Sequence, residues 1–399
     1  MKKETVNNDS VNRYIMILKA LKYTRFQGEP REWRIIGTEG PDSYAYFDNF
    51  NLLVGKNASG KSRTLTVIHT AANLLAGWKN VNEIVYPSEK YELLFESDET
   101  KYEYLLEYRD NKIADEHLLI DNKEVLNRSK GLLVDIVSGK EVAIKPNDIN
   151  PTVNDADENG AFYFNDLVMW ARMLQDLLFA NQSEKNHMVK DYHNIEDDES
   201  LEENSILIYT FHKGSEIFGN EFISEITRFM DKLGYSITNI EIQKTRYGYG
   251  LCVEEENKFK ISQREMSQGM FRALSFFVQF TYARMNGYSI CVLVDDMGEG
   301  LDFDRSKEMI NIMIKKINES NIQFFMTTND RYIMNKIPLR YWTVIDRQGK
   351  NSLFYSYTNS QGIFEDFRYT GLNNFDFFTT GFYKQGFENE EDINEEAEE

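Results

Sequence analysis

Short apolar runs alternate with helical apolar patterns along much of the chain, and this alternation is typical of a parallel α/β core. Three of the runs are short and bounded by polar residues, as expected for strands that are buried on both faces. These predicted strands cover 47–54, 289–294 and 322–327. The predicted core helices, with apolar positions three and four residues apart, cover 62–76, 266–285 and 305–317.

Other parts of the chain carry short alternating runs that predict an antiparallel lobe. The run at 14–23 is expected to pair with 33–36 as a hairpin, and 91–120 is expected to form an antiparallel meander. The remaining predicted strands are 206–211, 237–244 and 249–254, the remaining helices are 161–179 and 216–233, and the predicted loops are 146–160 and 184–203. The meander and the helices at about 90–235 would then form an insertion within one large domain, 13–345.

The C-terminal part of the chain has a different composition. Residues 346–387 are rich in aromatic side chains and are predicted as a separate segment. Strands and a helix packed on the core would bury these rings, whereas an exposed aromatic surface would mark a docking site for a partner. Residues 388–399 hold eight acids and no base, and we expect them to form a disordered acidic tail.

Composition and charge narrow the classes of protein. Hydrophobic residues make up 41% and aromatic residues 14% of the 399 residues, which is enough for a core. The formal net charge is −20, and without the tail it is −12, so a nucleic-acid contact would need a separate basic face. Cys252 and Cys291 lie in apolar runs, the five histidines show no metal-site spacing, and no apolar run is long enough to cross a bilayer. We therefore expect a cytoplasmic protein with reduced thiols.

The most specific motif is a glycine loop between the first predicted core strand and its helix. Residues 55–62 read GKNASGKS and fit the phosphate-loop pattern G-x-x-x-x-G-K-[ST]. In such a loop the backbone N–H groups point at a phosphate chain, the lysine reaches the β- and γ-phosphates, and the hydroxyl ligates Mg²⁺. The residues predicted to bind the nucleotide here are Gly55, Lys56, Asn57, Ala58, Ser59, Gly60, Lys61, Ser62 and Arg63. The sequence therefore predicts ATP and Mg²⁺ as cofactors, with Ser62 as one metal ligand.

A second motif supplies carboxylates. The predicted strand 289–294 ends in Asp295 and Asp296, and the first acid after such a strand holds Mg²⁺ in nucleotide-binding proteins with a phosphate loop. Residues 295–302, DDMGEGLD, resemble the D-E-x-x-x-x-L-D run of ABC-type ATPases.

The resemblance implies roles for these acids. Asp295 would hold Mg²⁺, Asp296 would be the catalytic base, and Asp302 would be the acid of the D-loop, which crosses the dimer interface in that family. Asp296 replaces the usual glutamate and is one methylene shorter, so Glu299 is the alternative base. We expect slow turnover.

Residues 265–272, EMSQGMFR, are similar to the L-S-G-G-Q signature segment of the same family. Ser267 and Gly269 match this segment, while Gln268 and Met270 depart from it. A serine hydroxyl, a glycine and a helix N-terminus suit an anion, although the same residues also fit an ordinary helix cap. The resemblance implies that Ser267 and Gly269 contact the γ-phosphate held by the opposite subunit.

The family carries a switch histidine after an apolar strand, and this sequence has Asn329 there. An amide can hydrogen-bond a γ-phosphate but does not carry a proton as imidazole does. The predicted catalytic residues are therefore Asp296, Lys61, Asn329 and Glu299. For the glutamine of the family's Q-loop, the candidates are Gln175 and Gln182.

Within the family, the motif NLLVGKNASGKS at 51–62 and the antiparallel lobe are most similar to those of the RecF/SMC/OLD-like branch. No heptad array predicts a long coiled coil, and no D-x-D strand after Asp330 predicts a Toprim nuclease. The resemblance implies an α/β fold, a P-loop NTPase head of the ABC type with an antiparallel β lobe and a helical insertion.

The leading hypothesis is a slow ATP-hydrolysing switch in bacterial anti-phage defence. ATP would hold two copies head to tail, as a homodimer or a higher homo-oligomer, and this form would control a separately encoded effector, a nuclease or a toxin. A RecF-like DNA repair or recombination ATPase is the alternative, which the net charge disfavours. A third hypothesis is the nucleotide-binding subunit of a membrane transporter, against which the altered signature segment argues.

Overall fold

The computed structural model describes nine ranges of the chain. They are 16–97, 100–144, 147–176, 185–190, 206–256, 258–286, 290–298, 300–319 and 322–387. The acidic tail 388–399, the alternative base Glu299 and the Q-loop candidate Gln182 lie outside the described residues, as does most of the predicted loop 184–203.

The strands are numbered in chain order. They are β1 (Met16–Arg25), β2 (Trp33–Ile36), β3 (Ala45–Tyr46), β4 (Phe50–Val54), β5 (Glu89–Ser97), β6 (Thr100–Arg109), β7 (Lys112–Ile120), β8 (Lys123–Asn127), β9 (Leu132–Leu133), β10 (Gln175–Asp176), β11 (Ile237–Thr245), β12 (Gly248–Glu255), β13 (Phe259–Ser262), β14 (Ile290–Val294), β15 (Ile322–Thr327), β16 (Trp342–Gln348) and β17 (Asn351–Ser356).

The α-helices are numbered in the same way. They are α1 (Lys61–Leu75), α2 (Asn165–Arg172), α3 (Ile206–Phe218), α4 (Asn220–Lys232), α5 (Gln268–Met285), α6 (Phe303–Asn318), α7 (Arg331–Lys336), α8 (Gln361–Asp366), α9 (Asn374–Thr379) and α10 (Phe382–Gln385). Short 3₁₀ turns cover Val81–Glu83, Thr152–Asn154, Leu339–Tyr341 and Phe367–Thr370.

One large sheet joins most of these strands. Its order within the described ranges is β10-β14-β15-β4-β16-β17-β2-β1-β5-β6-β7-β8-β9, with β3 paired to β1. Along this order, each neighbouring pair from β10 through β14, β15 and β4 to β16 is parallel. Each neighbouring pair from β1 through β5, β6, β7 and β8 to β9 is antiparallel. A second, small antiparallel sheet holds β11, β12 and β13. The parallel core, the predicted hairpin of β1 with β2 and the predicted meander are thereby confirmed.

The parallel strands are buried on both faces, which explains their continuous apolar sequences. Successive side chains of a strand point to opposite faces, so Leu52 of β4 packs in the cluster that contains α5, and Leu53 packs in the cluster that contains α1. In β14, Val292 and Leu293 divide between the same two clusters. Helices therefore cover both sides of the parallel half of the sheet.

Residues 206–211, which were predicted as a strand, begin helix α3, so that prediction was wrong. A short apolar run does not distinguish a strand from a buried helix. Ile208 and Phe211 are both buried at helical spacing, and the ring of Phe222 in α4 packs so close to Gly214 that a Cβ there would lie 2.5 Å from it. This packing between the two helices favours α3.

Two other helix predictions had wrong ends. Gly219 has a φ of 59° and separates α3 from α4, so the helix predicted from 216 begins only at Asn220. The helix predicted over 161–179 covers only Asn165–Arg172. It is followed by β10, whose Gln175 lies opposite Val292 of β14, so the backbone there satisfies its hydrogen bonds at the sheet edge.

The aromatic-rich segment packs on the core through its rings. Phe364, Phe367, Phe377 and Tyr383 are buried in the cluster that contains α5. Tyr369 and Leu372 lie on the surface, where they are 84% and 52% exposed. Most of this segment is thus part of the hydrophobic core.

The described helices include none with the length and apolar character needed to cross a bilayer. Cys252 and Cys291 are both buried free thiols, as expected.

Candidate nucleotide-binding site

The predicted phosphate loop joins the end of β4 to the start of α1. Gly60 caps α1 with a φ of 117°, and a Cβ there would lie 3.3 Å from the ring of Trp33. A Cβ on Gly55 would lie 2.6 Å from the carbonyl oxygen of Ile345, which is closer than real Cβ atoms approach. Both positions therefore require glycine, one for its backbone angle and the other for space.

A chain of hydrogen bonds holds the loop from the antiparallel half of the sheet. Trp33 Nε1 donates to Ser352 Oγ (2.9 Å), and Ser352 Oγ donates to the carbonyl oxygen of Ser59 (2.9 Å). The backbone N–H of Ser59 donates to the carbonyl of Lys56 (3.1 Å) and closes the turn. Trp33 and Ser352 were missed in the sequence because they are 319 residues apart and carry no local motif.

Lys61 is turned back along the loop and is only 7% exposed. Its Nζ donates to the carbonyls of Gly55 (2.8 Å) and Lys56 (3.3 Å). Burial lowers the pKa of Lys61, and the carboxylates of Asp296 and Asp295 act in the opposite direction. The ammonium thus lies between the loop backbone and the two acids, where a phosphate chain would be held.

Ser62 and Asp295 meet at the carboxyl edge of the parallel strands. Ser62 Oγ donates to Asp295 Oδ1 (3.1 Å) across 233 residues of sequence, because β14, β15 and β4 are adjacent and end at the same edge. A hydroxyl and a carboxylate suit Mg²⁺, which usually adds phosphate oxygens and water. Among the described residues, no three His, Cys, Asp or Glu side chains form a metal cluster.

Thr327, at the end of β15, connects the two acids and is fully buried. Its hydroxyl donates to Asp295 Oδ1 and accepts from the backbone N–H of Asp296 (2.8 Å). Thr327 was missed in the sequence. A threonine that ends the strand beside the acid strand was the available signal.

Asp296 lies in an unusual backbone conformation, with a φ of 49°, and its side chain is exposed. Asn329 Nδ2 donates to Asp296 Oδ1 (3.1 Å). The backbone angle and the two contacts from the end of β15 orient the carboxylate outward at the edge where Lys61 and Ser62 lie. A carboxylate in this position can accept a proton from a water molecule.

The signature residues form a second group. Ser267 caps α5, with its Oγ accepting from the backbone N–H of Met270 (3.1 Å), and its side chain is exposed. Gly269 packs against the loop before α6, where a Cβ on it would lie 2.9 Å from the carbonyl oxygen of Gly300. Asp302 caps α6 by accepting from the backbone N–H of Arg305 (3.0 Å). The signature segment and the D-loop residues therefore lie together.

A cavity of about 240 Å³ opens beside the first turns of α1. Its lining includes Arg63 and Thr66 from the helix, and Arg25, Trp33 and Tyr86 from the antiparallel side. The guanidinium of Arg63 lies 5.8 Å from the centroid of the Trp33 ring, and that of Arg25 lies 3.9 Å from the Tyr86 ring. Aromatic rings and cations next to a phosphate loop suit a nucleoside and its phosphates.

A family model matches most of the chain. A family model described as "AAA domain, putative AbiEii toxin, Type IV TA system" matches residues 50–335. No curated protein matches the chain.

Three solved structures are similar to this chain. An SmcHead bound to the C-winged helix domain of ScpA is 12% identical, with a TM-score of 0.50, over 84% of this chain and 96% of that chain. An Smc head domain with an extended coiled coil, bound to the C-terminal domain of ScpA derived from Pyrococcus furiosus, is 13% identical, with a TM-score of 0.49, over 88% and 100%. An SMC head domain from Thermotoga maritima is 13% identical, with a TM-score of 0.43, over 84% and 97%. The first likeness and the family match confirm the predicted fold class.

Proposed function

The chain belongs to this AAA-domain family and has the ATPase head fold of the RecF/SMC-like branch of ABC-type ATPases, and we propose that it is a slow ATP-dependent switch that pairs head to tail and controls a separately encoded effector. ATP with Mg²⁺ would bind at the phosphate loop, with Ser62 and Asp295 on the metal. The protein would act in the cytoplasm of a bacterium, in defence against phage.

The division of the site into two groups carries this proposal. Lys61, Ser62 and Asp295 lie together at the sheet edge, whereas Gly269, two residues after Ser267, lies against Gly300 and Leu301. The exposed N-terminus of α5 carries a partial positive charge that attracts an anion. A second copy, turned head to tail, would bring this anion-binding end onto the γ-phosphate at the first copy's phosphate loop.

Slow hydrolysis is inferred from the two substituted positions. Asp296 is shorter than the usual glutamate, and Asn329 occupies the place of the switch histidine and bonds to Asp296. The amide of Asn329 does not take up a proton near neutral pH, so it stabilises the carboxylate's position without relaying the proton. The ATP-bound pair would therefore persist long enough to act as a signal.

A separately encoded partner is suggested by the family's description. That description names the family itself a putative toxin of a type IV toxin–antitoxin system, and such a system has a second, separately encoded component. A compact head without a described coiled coil fits a switch that acts through such a partner. A nuclease or a toxin is the class of effector we propose.

The pairing is tested by the mass of purified variants with and without ATP and Mg²⁺. Asp296→Asn should trap ATP and double its mass, whereas Lys61→Ala should stay monomeric because it loses the nucleotide. Ser267→Arg is the matched control, since it should bind ATP normally and stay monomeric. An Asp296→Asn protein that remains monomeric in saturating ATP would contradict the proposed head-to-tail pairing.

The effector is tested by co-expression with the protein encoded next to this gene. The two proteins should copurify in an ATP-dependent manner from Asp296→Asn, and Ser267→Arg should abolish the association. Equal recovery with both variants would mean that the pairing does not control the partner.

One surface feature favours the alternative, a RecF-like role on DNA. Tyr247, in the β11–β12 turn, is 48% exposed, with Arg264 at 3.9 Å and Arg246 at 4.6 Å from its ring centroid. Aromatic and arginine side chains of this kind bind single-stranded nucleic acid. Salt-sensitive binding of a labelled oligonucleotide that is lost in the Arg246→Ala/Arg264→Ala double variant, and kept in Arg228→Ala, would favour the DNA role.

A further inference from the structure

Tyr235 connects the signature group to the rest of the site. It lies between α4 and β11 and is 6% exposed. Its backbone N–H donates to the carbonyl of Met230 (3.0 Å), which fixes the turn at the end of α4. Its hydroxyl oxygen lies 3.2 Å from the place where a Cβ on Gly269 would be, two residues along the chain from Ser267. Burial raises the pKa of Tyr235, and hydrogen bonding with the Ser267 side chain lowers it.

Arg305 connects Tyr235 to the D-loop. The Arg305 guanidinium stacks on the Tyr235 ring at 4.3 Å from its centroid. Its Nε donates to the carbonyl of Leu233 (3.1 Å), and its Nη1 pairs with Asp302 Oδ2 at 2.7 Å. Arg305 thus joins the start of α6 to the turn that carries Tyr235.

Close backbone packing adds a third connection. Gly269 packs against Gly300, which has a φ of 78°. A Cβ on Gly300 would lie 2.6 Å from Nη1 of Arg272, so the Arg272 guanidinium also packs closely on this loop. The backbone N–H of Leu301 donates to the carbonyl of Gly298 (3.1 Å), so the D-loop is tied to the backbone two residues after Asp296. A shift of the signature segment therefore displaces this loop unless the contacts break.

We propose that Tyr235 is a positioning residue that links the signature serine to the D-loop and so sets Asp296 for hydrolysis when the partner subunit's γ-phosphate is bound. This inference rests on the proposed head-to-tail pair. Contact between Ser267 and a phosphate on the partner would fix the Tyr235 hydroxyl, and Arg305 would hold Asp302 in register. The hydrogen bond from Leu301 to Gly298 would then hold the backbone two residues after Asp296. Each subunit would then hydrolyse its own ATP only while its signature end is engaged.

Tyr235→Phe tests the link because it keeps the ring, its packing and the arginine stacking, and removes only the hydroxyl. We expect kcat for ATP to fall about three- to tenfold, the range that one lost hydrogen bond gives. The KM for ATP and the thermal midpoint should stay unchanged, since neither the phosphate loop nor the core is altered. A merely structural role would lower the midpoint and leave kcat unchanged.

Tyr341→Phe is the matched control. Tyr341 also lies against an arginine and accepts a hydrogen bond from Arg340 (2.7 Å), but it packs on Phe50 at the start of β4, away from the strand ends that carry the acids. Its kcat should equal that of the wild type.

A double-mutant cycle with Ser267→Ala gives the second readout. If Tyr235 acts through Ser267, the double variant should lose no more kcat than Ser267→Ala alone. Additive losses, or a Tyr235→Phe protein with the wild-type kcat, would overturn this inference while leaving the pairing intact. A wild-type chain that never pairs with ATP would overturn the pairing and the inference together.

Discussion

The side-chain amide of Asn329 donates a hydrogen bond to the carboxylate of Asp296 across 3.1 Å, and so joins the ends of β15 and β14. The backbone N–H of Asp296 is held from the same strand by Thr327 (2.8 Å). The position of this carboxylate is therefore set by β15, in addition to its own side-chain length. The Asp296 carboxylate can therefore reach a water molecule only from the position that the end of β15 gives it.

Asp296→Asn is expected to abolish most hydrolysis and to leave ATP binding unchanged. Loss of a general base lowers kcat by about 10²- to 10⁴-fold. The new amide oxygen still accepts from Asn329, and asparagine tolerates the φ of 49°, so the fold should be kept. Steady-state hydrolysis and ATP affinity measure the two effects. If Glu299→Gln lost activity instead and Asp296→Asn kept it, the base would be Glu299.

Thr327→Val is expected to weaken the use of Mg²⁺. The substitution removes the donor to Asp295 and leaves the partly buried N–H of Asp296 without its acceptor, at a cost of about 1–3 kcal/mol in the free energy of unfolding. The Mg²⁺ concentration for half-maximal hydrolysis should rise, because Asp295 loses the contact that orients it.

Thr328→Val is the control for this prediction. Thr328 is equally buried, and its hydroxyl donates to the carbonyl of Met297 (3.1 Å) instead of to an acid. Both variants should lose stability, but only Thr327→Val should need more Mg²⁺. An equal shift in Mg²⁺ dependence for the two variants would show that Thr327 has no particular role at the metal.

The strands and the phosphate loop could be predicted from the sequence because local patterns determine them. The buried strands β14 and β15 are continuous apolar runs, and the loop at 55–62 has fixed spacing with glycines at positions that the geometry confirms. The two groups of site residues follow from the same motifs, since parallel strands end at one edge of the sheet.

The residues that hold these motifs could not be predicted in this way. Trp33 reaches Ser352 across 319 residues, and Thr327 reaches Asp295 across 32. Tyr235 lies in a turn whose sequence carries no motif, and its role depends on the packing of α4 against α6 and the signature helix. The strand predicted at 206–211 was wrong for a related reason, because only the packing of α3 on α4 favours a helix there.

The pH dependence of ATP binding should reflect Lys61. Burial lowers the pKa of Lys61 from the ordinary value of about 10.4. The ammonium form binds phosphate, so affinity is full below this pKa and is lost as pH rises through it, earlier than for an exposed lysine. Asp296→Asn removes a carboxylate that raises the pKa, and should shift the loss to lower pH. ATP affinity measured as a function of pH tests both expectations. Identical curves for the wild type and Asp296→Asn would contradict the effect of Asp296 on the pKa of Lys61.

Gly55→Ala is expected to disrupt the phosphate loop. Its Cβ would lie 2.6 Å from the carbonyl oxygen of Ile345, and backbone must move to relieve this contact. ATP affinity should fall at least about tenfold, which corresponds to about 1.4 kcal/mol. Gly362→Ala is the control, since a Cβ there meets nothing within 4 Å, and its ATP affinity should be unchanged. Normal binding by Gly55→Ala would mean that the loop adapts.

The aromatic C-terminal segment should contribute to stability through buried rings such as Phe377. Its exposed side chains are the ones that a partner could contact. Phe377 is fully buried against Phe364 and Tyr383, so Phe377→Ala should cost about 3–5 kcal/mol in the free energy of unfolding, measured in urea. Tyr369 is 84% exposed, and Tyr369→Ala should change stability by less than about 0.5 kcal/mol. Since Tyr369→Ala leaves the core intact, a loss of effector binding in that variant would assign the docking role to this surface. Unchanged binding would leave the segment with its packing role alone.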